Sequence, residues 1–279
     1  SSILPTYLLS QMTRKNVTVA LGEDGADELF GGYEPFKVLS KLELYDKFIP
    51  KPIHESIRFM LDFVPSGNKK MTKNWSFKAK RTLRGLSYPQ NTWFSNWLGT
   101  LGAEEINELF AEETDIELLY SEAIEYWDKC KGMNLSDKIT YLYIKMYMQD
   151  DILTKVDRAS MLNSLEVRTP FLDIDFVNFA RRIPHQYKFR NGETKYLLKK
   201  ALERILPQDI LYRQKEGFAV PISKWFATGR IPLTFPSQNI PFDTSLAKKY
   251  YHQHQNHQAE HYSFLWNYCL LNNSFSRAL

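Results

Sequence analysis

Residues 19–33 read VALGEDGADELFGGY, from Val19 to Tyr33. The pattern predicts a buried strand over Val17 to Leu21, a glycine-broken acidic turn, and a short helix closed by Gly31-Gly32. A loop at the carboxyl end of a strand is where open α/β sheets place nucleotides. Gly22 and Gly25 would let backbone approach a ligand where a Cβ would clash. Asp24, Asp27 and Glu28 put three carboxylates within five residues. Beside a phosphate site that charge calls for a cation, which suggests magnesium. A second reading uses the same residue types: Asp24 as N-cap of an Ala26–Phe30 helix and Gly32 as its C-cap. Spacing alone leaves both readings open.

Two further blocks extend the pattern. Asp150 to Asp173 reads DDILTKVDRASMLNSLEVRTPFLD, and Asn191 to Pro221 reads NGETKYLLKKALERILPQDILYRQKEGFAVP. With the first stretch they resemble three ordered motifs of the asparagine synthetase family: SG(D/E)G(G/S/A)DELFGGY, then DD-L-KVDR-SM-SLEVR-PFLD, then a TK-LL helix followed by YRQKEGF. Three blocks in order are far more specific than a lone glycine motif. The resemblance implies an α/β fold that is predominantly helical here. It would be a partial ATP-pyrophosphatase (adenine nucleotide alpha hydrolase-like) domain, with a parallel-sheet edge and a large helical lobe. Residues 1–226 would be the C-terminal part of that synthetase domain, and 227–279 a loop and helical tail. The family's SGG-DS phosphate loop and the N-terminal cysteine of its glutaminase domain do not occur in the 279 residues. The chain is therefore expected to be a fragment, inactive alone.

The resemblance implies asparagine synthesis. ATP would adenylate the aspartate side chain, giving β-aspartyl-AMP and pyrophosphate. Ammonia, from glutamine hydrolysed in another domain of the polypeptide, would then form the amide. ATP and Mg2+ are the implied cofactors, and Asp27 matches the family's metal-binding aspartate. Lys215 matches its catalytic lysine, a mobile point charge suited to a departing pyrophosphate. Gly217 would let that segment hinge as a lid. Asp24 occupies the acidic position linked to the acyl-adenylate, where a carboxylate can take a proton from the attacking ammonia. Relatives that form β-lactam amides carry tyrosine there, so Asp24 favours ammonia as the nucleophile. Gly22, Glu23, Gly25 and Lys195 match nucleotide-contacting positions, with Lys195 a secondary phosphate contact. Gly22-Glu23 departs from the family's Ser-Gly: glycine at the first position keeps close approach possible, and the charge of Glu23 should be repelled by phosphates. Lys155, Asp157, Arg158, Glu166 and Arg168 are expected to form a buried ion network, with Lys155 and Arg158 also open as substrate-carboxylate contacts. Asp173 should cap the next helix. Two other readings compete: an amidotransferase acting on another carboxylate, for example in glycan biosynthesis, and a non-catalytic scaffold.

Composition bounds the partners. The 36 basic and 32 acidic residues are mixed along the chain, for a net charge of +4. Nucleic acid is not an expected partner, because no groove-reading motif accompanies the one basic run, Lys69 to Arg84, which reads as a solvated helix face. Cys130 and Cys269 fit no metal or disulfide spacing, so reduced thiols and a cytoplasmic location are expected. No apolar run approaches the roughly 18 residues of a membrane helix. The oligomeric state is left open, with a homodimer as one arrangement.

Helical periodicity dominates the rest. Helices are expected over Tyr33 to Phe48, His54 to Phe63, Phe77 to Leu86, Thr114 to Lys131, Asp173 to Ile183, Thr194 to Leu206 and His261 to Leu271. The longest, Leu135 to Leu153, should be capped by Ser136. Its Tyr141, Tyr143, Tyr147, Met146 and Met148 read as core rather than cofactor contacts. Ser66 to Asn74 reads as a connector and Phe235 to Phe242 as a loop. His252, His254 and His257 lack the carboxylate partners and spacing of a metal site.

Overall fold

A computed structural model describes residues 2–63, 75–213, 220–236 and 242–278. The Ser66 to Asn74 connector lies outside the described residues, and so do residues 237–241 of the loop after Phe235. The described chain is mostly helical, with one two-stranded parallel sheet, compatible with an α/β reading. Its residues cluster into two compact units: Ser1–Lys47 with Glu125–Val220, and Phe48–Ile124 with Pro221–Leu279.

In the first unit the Ile3–Arg14 helix packs on the Thr154–Met161 helix. Asn163 ties them, its Nδ2 donating to Tyr7 O at 3.3 Å and Ala159 O at 2.9 Å. Strand β1 (Val19–Leu21) pairs in parallel with β2 (Glu166–Arg168), Ala20 opposite Val167. The strand is shorter and more open than the sequence predicts: Val19 is 39% and Leu21 75% exposed. Among the described residues β2 is its one neighbour, so one edge and much of its apolar surface stay uncovered.

The longest predicted helix forms and runs further. Leu135–Leu142 leads into a π-helical segment, Tyr143–Leu153, and then into Thr154–Met161. Its cap is Asn134 rather than Ser136: Asn134 Oδ1 accepts from Asp137 N at 2.9 Å. Ser136 falls two positions later, already inside the helix, where its side chain does not cap those first amides. Tyr143 and Met148 are buried, as a core role requires. Asp173 caps the Ile174–Ala180 helix, accepting from Asp175 N and Phe176 N. The predicted Tyr33 to Phe48 helix divides into a 3-10 turn, Glu34–Lys37, and a helix, Leu39–Phe48, because Pro35 lies at the start of the turn.

The second unit is all helix. Lys51–Asp62 and Trp75–Leu86 pack together, and Trp93–Leu98 lies on Trp75–Leu86. Ile222–Ala227, Ser245–Gln255 and Tyr262–Ala278 pack mutually, and Ala103–Phe110 lies on Ser245–Gln255. Trp93, Phe226, Leu246 and Leu265 are fully enclosed. A Cβ on Gly85 would meet Trp97 Nε1 at 2.2 Å, so glycine there lets the indole settle on the helix. His254 is also enclosed; Nε2 bonds Ser223 O at 2.9 Å and Nδ1 lies 3.3 Å from Glu260.

Candidate functional site

The acidic loop leaves β1 where Gly22 N donates to Arg168 O at 2.7 Å, extending the parallel pairing by one bond. A Cβ on Gly22 would lie 3.1 Å from Val167 Cγ1 and 3.3 Å from Thr169 Cγ2. Gly25 has φ +94°, and a Cβ there would meet Leu172 Cδ2 at 2.4 Å. Both glycines thus have a reason within the chain's own packing. Gly25, not Asp24, is the N-cap of the Ala26–Phe30 helix, and no side chain caps it. Gly31, with φ +64°, closes the helix one residue before the predicted Gly32. The helix is held by its apolar face: Leu29 and Phe30 join Ala180, with Phe171 and Phe176 packed around them.

The three carboxylates diverge. Asp24 is half-buried, and burial raises its pKa above the usual value. The Lys155 ammonium draws it back down, and Glu23 adds to the rise. Glu23 itself is exposed. Asp27 Oδ1 lies 2.9 Å from Lys195 Nζ, both side chains about one-quarter exposed (24% and 25%). Gly32 makes room for this pair: a Cβ there would stand 1.8 Å from Asp27 Oδ1 and 2.5 Å from Lys195 Cε. Lys195 reaches the site after a tight turn in which Asn191 and Gly192 both have positive φ, the Asn-Gly signature of a two-residue hairpin. Lys195 is itself left-handed, at φ +53°, and precedes the Tyr196–Leu202 helix.

Glu28 turns inward. It is 1% exposed and accepts a hydrogen bond from Tyr33 Oη. Burial raises its pKa, and the neighbouring Asp27 and Asp24 charges add to the rise. Tyr33 stacks on Tyr143 at 4.4 Å and meets Tyr147 edge-on at 5.7 Å. The same surroundings push the Tyr33 phenol far above its ordinary range, burial first and Glu28 second. The sequence groups Glu28 with Asp24 and Asp27 as carboxylates beside a phosphate site and gives it no separate role. The five-residue spacing from Glu28 to Tyr33 was the available signal for the pair. The Gly31-Gly32 doublet likewise held two separate roles.

Lys215 and Gly217 lie outside the described residues. The expected buried ion network does not form: Asp157 and Arg158 are exposed, and the Glu166–Arg168 pair at 2.7 Å keeps side chains 54% and 65% exposed. The cause is geometric, since Glu166 and Arg168 are two apart on a strand and share its outward face. Among the described residues no three His, Cys, Asp or Glu side chains converge as a metal cage. Asp27 offers one carboxylate, and Mg2+ is commonly bound through one or two carboxylates together with substrate phosphates. That donor set fits an ion carried in on phosphates.

A family model described as asparagine synthase matches residues 1–269. "Asparagine synthetase (glutamine-hydrolyzing) 1" of Bacillus subtilis (strain 168) is 34% identical over 224 residues, covering 80% of this chain and 34% of that protein. "Putative asparagine synthetase (glutamine-hydrolyzing)" of Mycobacterium tuberculosis (strain ATCC 25618 / H37Rv) is 34% identical over 237 residues, covering 82% of this chain and 34% of that protein. "Asparagine synthetase (glutamine-hydrolyzing)" of Gallus gallus is 25% identical over 180 residues, covering 56% of this chain and 32% of that protein. The chain spans about a third of the length of these relatives. No solved structure matches it. With a family model spanning all but its last ten residues, the chain belongs to the asparagine synthase family.

Proposed function

We propose that the polypeptide carrying this chain makes asparagine from aspartate, ATP and ammonia released from glutamine by a glutaminase domain. The Asp27–Lys195 pair carries this reading. It sets one carboxylate and one ammonium side by side near the exit of a parallel strand, with glycine opposite them. That is a charge arrangement suited to a phosphate chain with its cation.

In this reading a side-chain oxygen of aspartate attacks the α-phosphorus of ATP and pyrophosphate leaves. Lys195 and Lys215 stabilise the leaving charge, and the backbone at Gly22, Glu23 and Gly25 lies along the nucleotide. Asp27 holds Mg2+, which when bound offsets charge on the phosphates. Ammonia then attacks the acyl carbon, its proton passes to Asp24, and AMP departs with the carboxylate oxygen. A carboxylate whose pKa burial raises is better matched to that proton transfer. Residues 1–226 belong to the synthetase domain and 227–279 form its tail. The free thiols of Cys130 and Cys269 suit a reducing cytoplasm.

The test is pyrophosphate release by the full-length polypeptide with ATP and a panel of carboxylates. Aspartate should support release, and Lys215→Ala or Asp27→Asn should abolish most of it. Asp24→Asn should slow amide formation by roughly 100-fold or more. Failure of aspartate while another carboxylate reacts would replace this reading with a different amidotransferase. Failure of ATP to bind would leave a scaffold.

A further inference from the structure

We infer that the second unit holds a binding site for a small phosphate-bearing anion, in a cavity walled by Arg58, Lys80, Arg81 and Arg84. The cavity measures about 360 Å³. That lies within the roughly 300–1,000 Å³ of small-molecule sites. It is too small for a nucleic-acid strand.

Four cations line this cavity together with two carboxylates, Glu105 and Glu260. Both carboxylates are engaged by the protein itself. Glu105 accepts from Gly102 N at 2.6 Å and from Tyr250 Oη, and lies 3.7 Å from Arg84. Glu260 accepts from Ser223 Oγ at 3.2 and 3.3 Å and faces His254 Nδ1 at 3.3 Å. Arg58 and Arg84 are held by neutral oxygens, Arg84 also by its pair with Glu105. Arg58 Nη1 donates to Ser87 Oγ at 2.7 Å. Arg81 donates to Trp97 O at 2.6 Å and Leu98 O at 3.2 Å. Arg84 Nη2 donates to Asn96 O at 3.1 Å and Gly99 O at 2.9 Å. Bonds to neutral oxygens position a guanidinium without cancelling its charge, and each has five N–H donors. Arg84 Nε is buried and makes no hydrogen bond within the protein.

Residues 259–264 line the cavity where the 17-residue Tyr262–Ala278 helix begins. The first amides of a helix carry partial positive charge and favour anions. Arginine forks match phosphate oxygens two at a time, which favours a phosphoryl group over a singly charged anion. The run Lys69 to Arg84, which reads in sequence as a solvated face, thus sends three of its cations to a cavity wall.

The test is calorimetric titration of the 279-residue chain with inorganic pyrophosphate at low salt. A binding event that the cavity variants weaken is expected. Thr100→Glu sets a carboxylate in the cavity wall without removing a cation, and should weaken binding about tenfold or more. The double variant Arg58→Gln, Lys80→Gln should do the same, with circular dichroism confirming that both variants fold. Lys131→Ala, at an exposed position of the other unit, should bind as the parent does. Absence of binding, parent-like binding by both cavity variants, an equal loss in Lys131→Ala, or binding of citrate in place of pyrophosphate would each overturn the inference.

Discussion

In the first unit the candidate carboxylates lie within five consecutive residues, among glycines at 22, 25 and 32. In the second unit the cavity's cations come from positions 58 to 84 and other lining residues from 259 to 264, set on helices around buried aromatic residues. The loop is encoded by what is missing, namely side chains at 22, 25 and 32. The cavity is encoded by what is present, namely large side chains that hold helices apart and aligned. A methyl group added to the loop and a ring removed from the second unit should therefore do comparable kinds of harm by opposite routes.

The largest effect is expected from Trp93→Ala. Trp93 is 0% exposed, and its Nε1 donates to Tyr88 O at 3.0 Å. Its loss should cost about 3–5 kcal/mol in urea unfolding. A cost below about 1 kcal/mol would break the claim that aromatic packing carries this unit. Next comes Gly25→Ala, which forces a left-handed alanine against Leu172 and should cost about 1–3 kcal/mol. Gly22→Ala, with its nearest clash at 3.1 Å rather than 2.4 Å, should cost less. Equal costs would show that backbone conformation is not what distinguishes the two positions.

Glu28→Gln sharpens the comparison through pH. Burial raises the Glu28 pKa above its ordinary 4.5, so the native chain holds that proton to higher pH than the unfolded chain does. The contribution is complete below 4.5 and is lost as pH rises through the raised folded value. Glutamine keeps an acceptor for Tyr33 and does not titrate. The variant's stability should therefore fall less than the parent's from pH 4.5 upward, read as melting temperature against pH. Parallel curves would remove Glu28 as the buried titrating group. The smallest effect is expected from Glu166→Gln, within about 1 kcal/mol for an exposed pair. A loss of about 3–5 kcal/mol would restore the buried network that the sequence suggested.

What the sequence disclosed follows from how local each feature is. The strand–loop–helix order around Asp24, the Asp173 cap and the core role of Tyr143 were legible because each depends on residues a few positions apart. The Asn134 cap was misplaced by two positions, since asparagine and serine are near-equal caps and the register was set by packing. The exposure of Leu21 was hidden because an apolar strand reads the same with one neighbour or two. The inward turn of Glu28 was hidden because its aromatic surroundings, Tyr143 and Tyr147, come from more than a hundred residues away. The cavity of the second unit was hidden for the same reason, its cations (positions 58 to 84) and residues 259–264 being at least 175 residues apart in sequence.

The Gly31-Gly32 doublet has a consequence for how this loop can drift. At Gly31 the demand is angular: φ is +64° and the nearest atom to a Cβ is 3.7 Å away, so asparagine, which tolerates that backbone, is an open exchange. At Gly32 the demand is volumetric, because the space is already filled by the charges of Asp27 and Lys195. Two neighbouring identical letters therefore have different alphabets, one of at least two residues and the other of one.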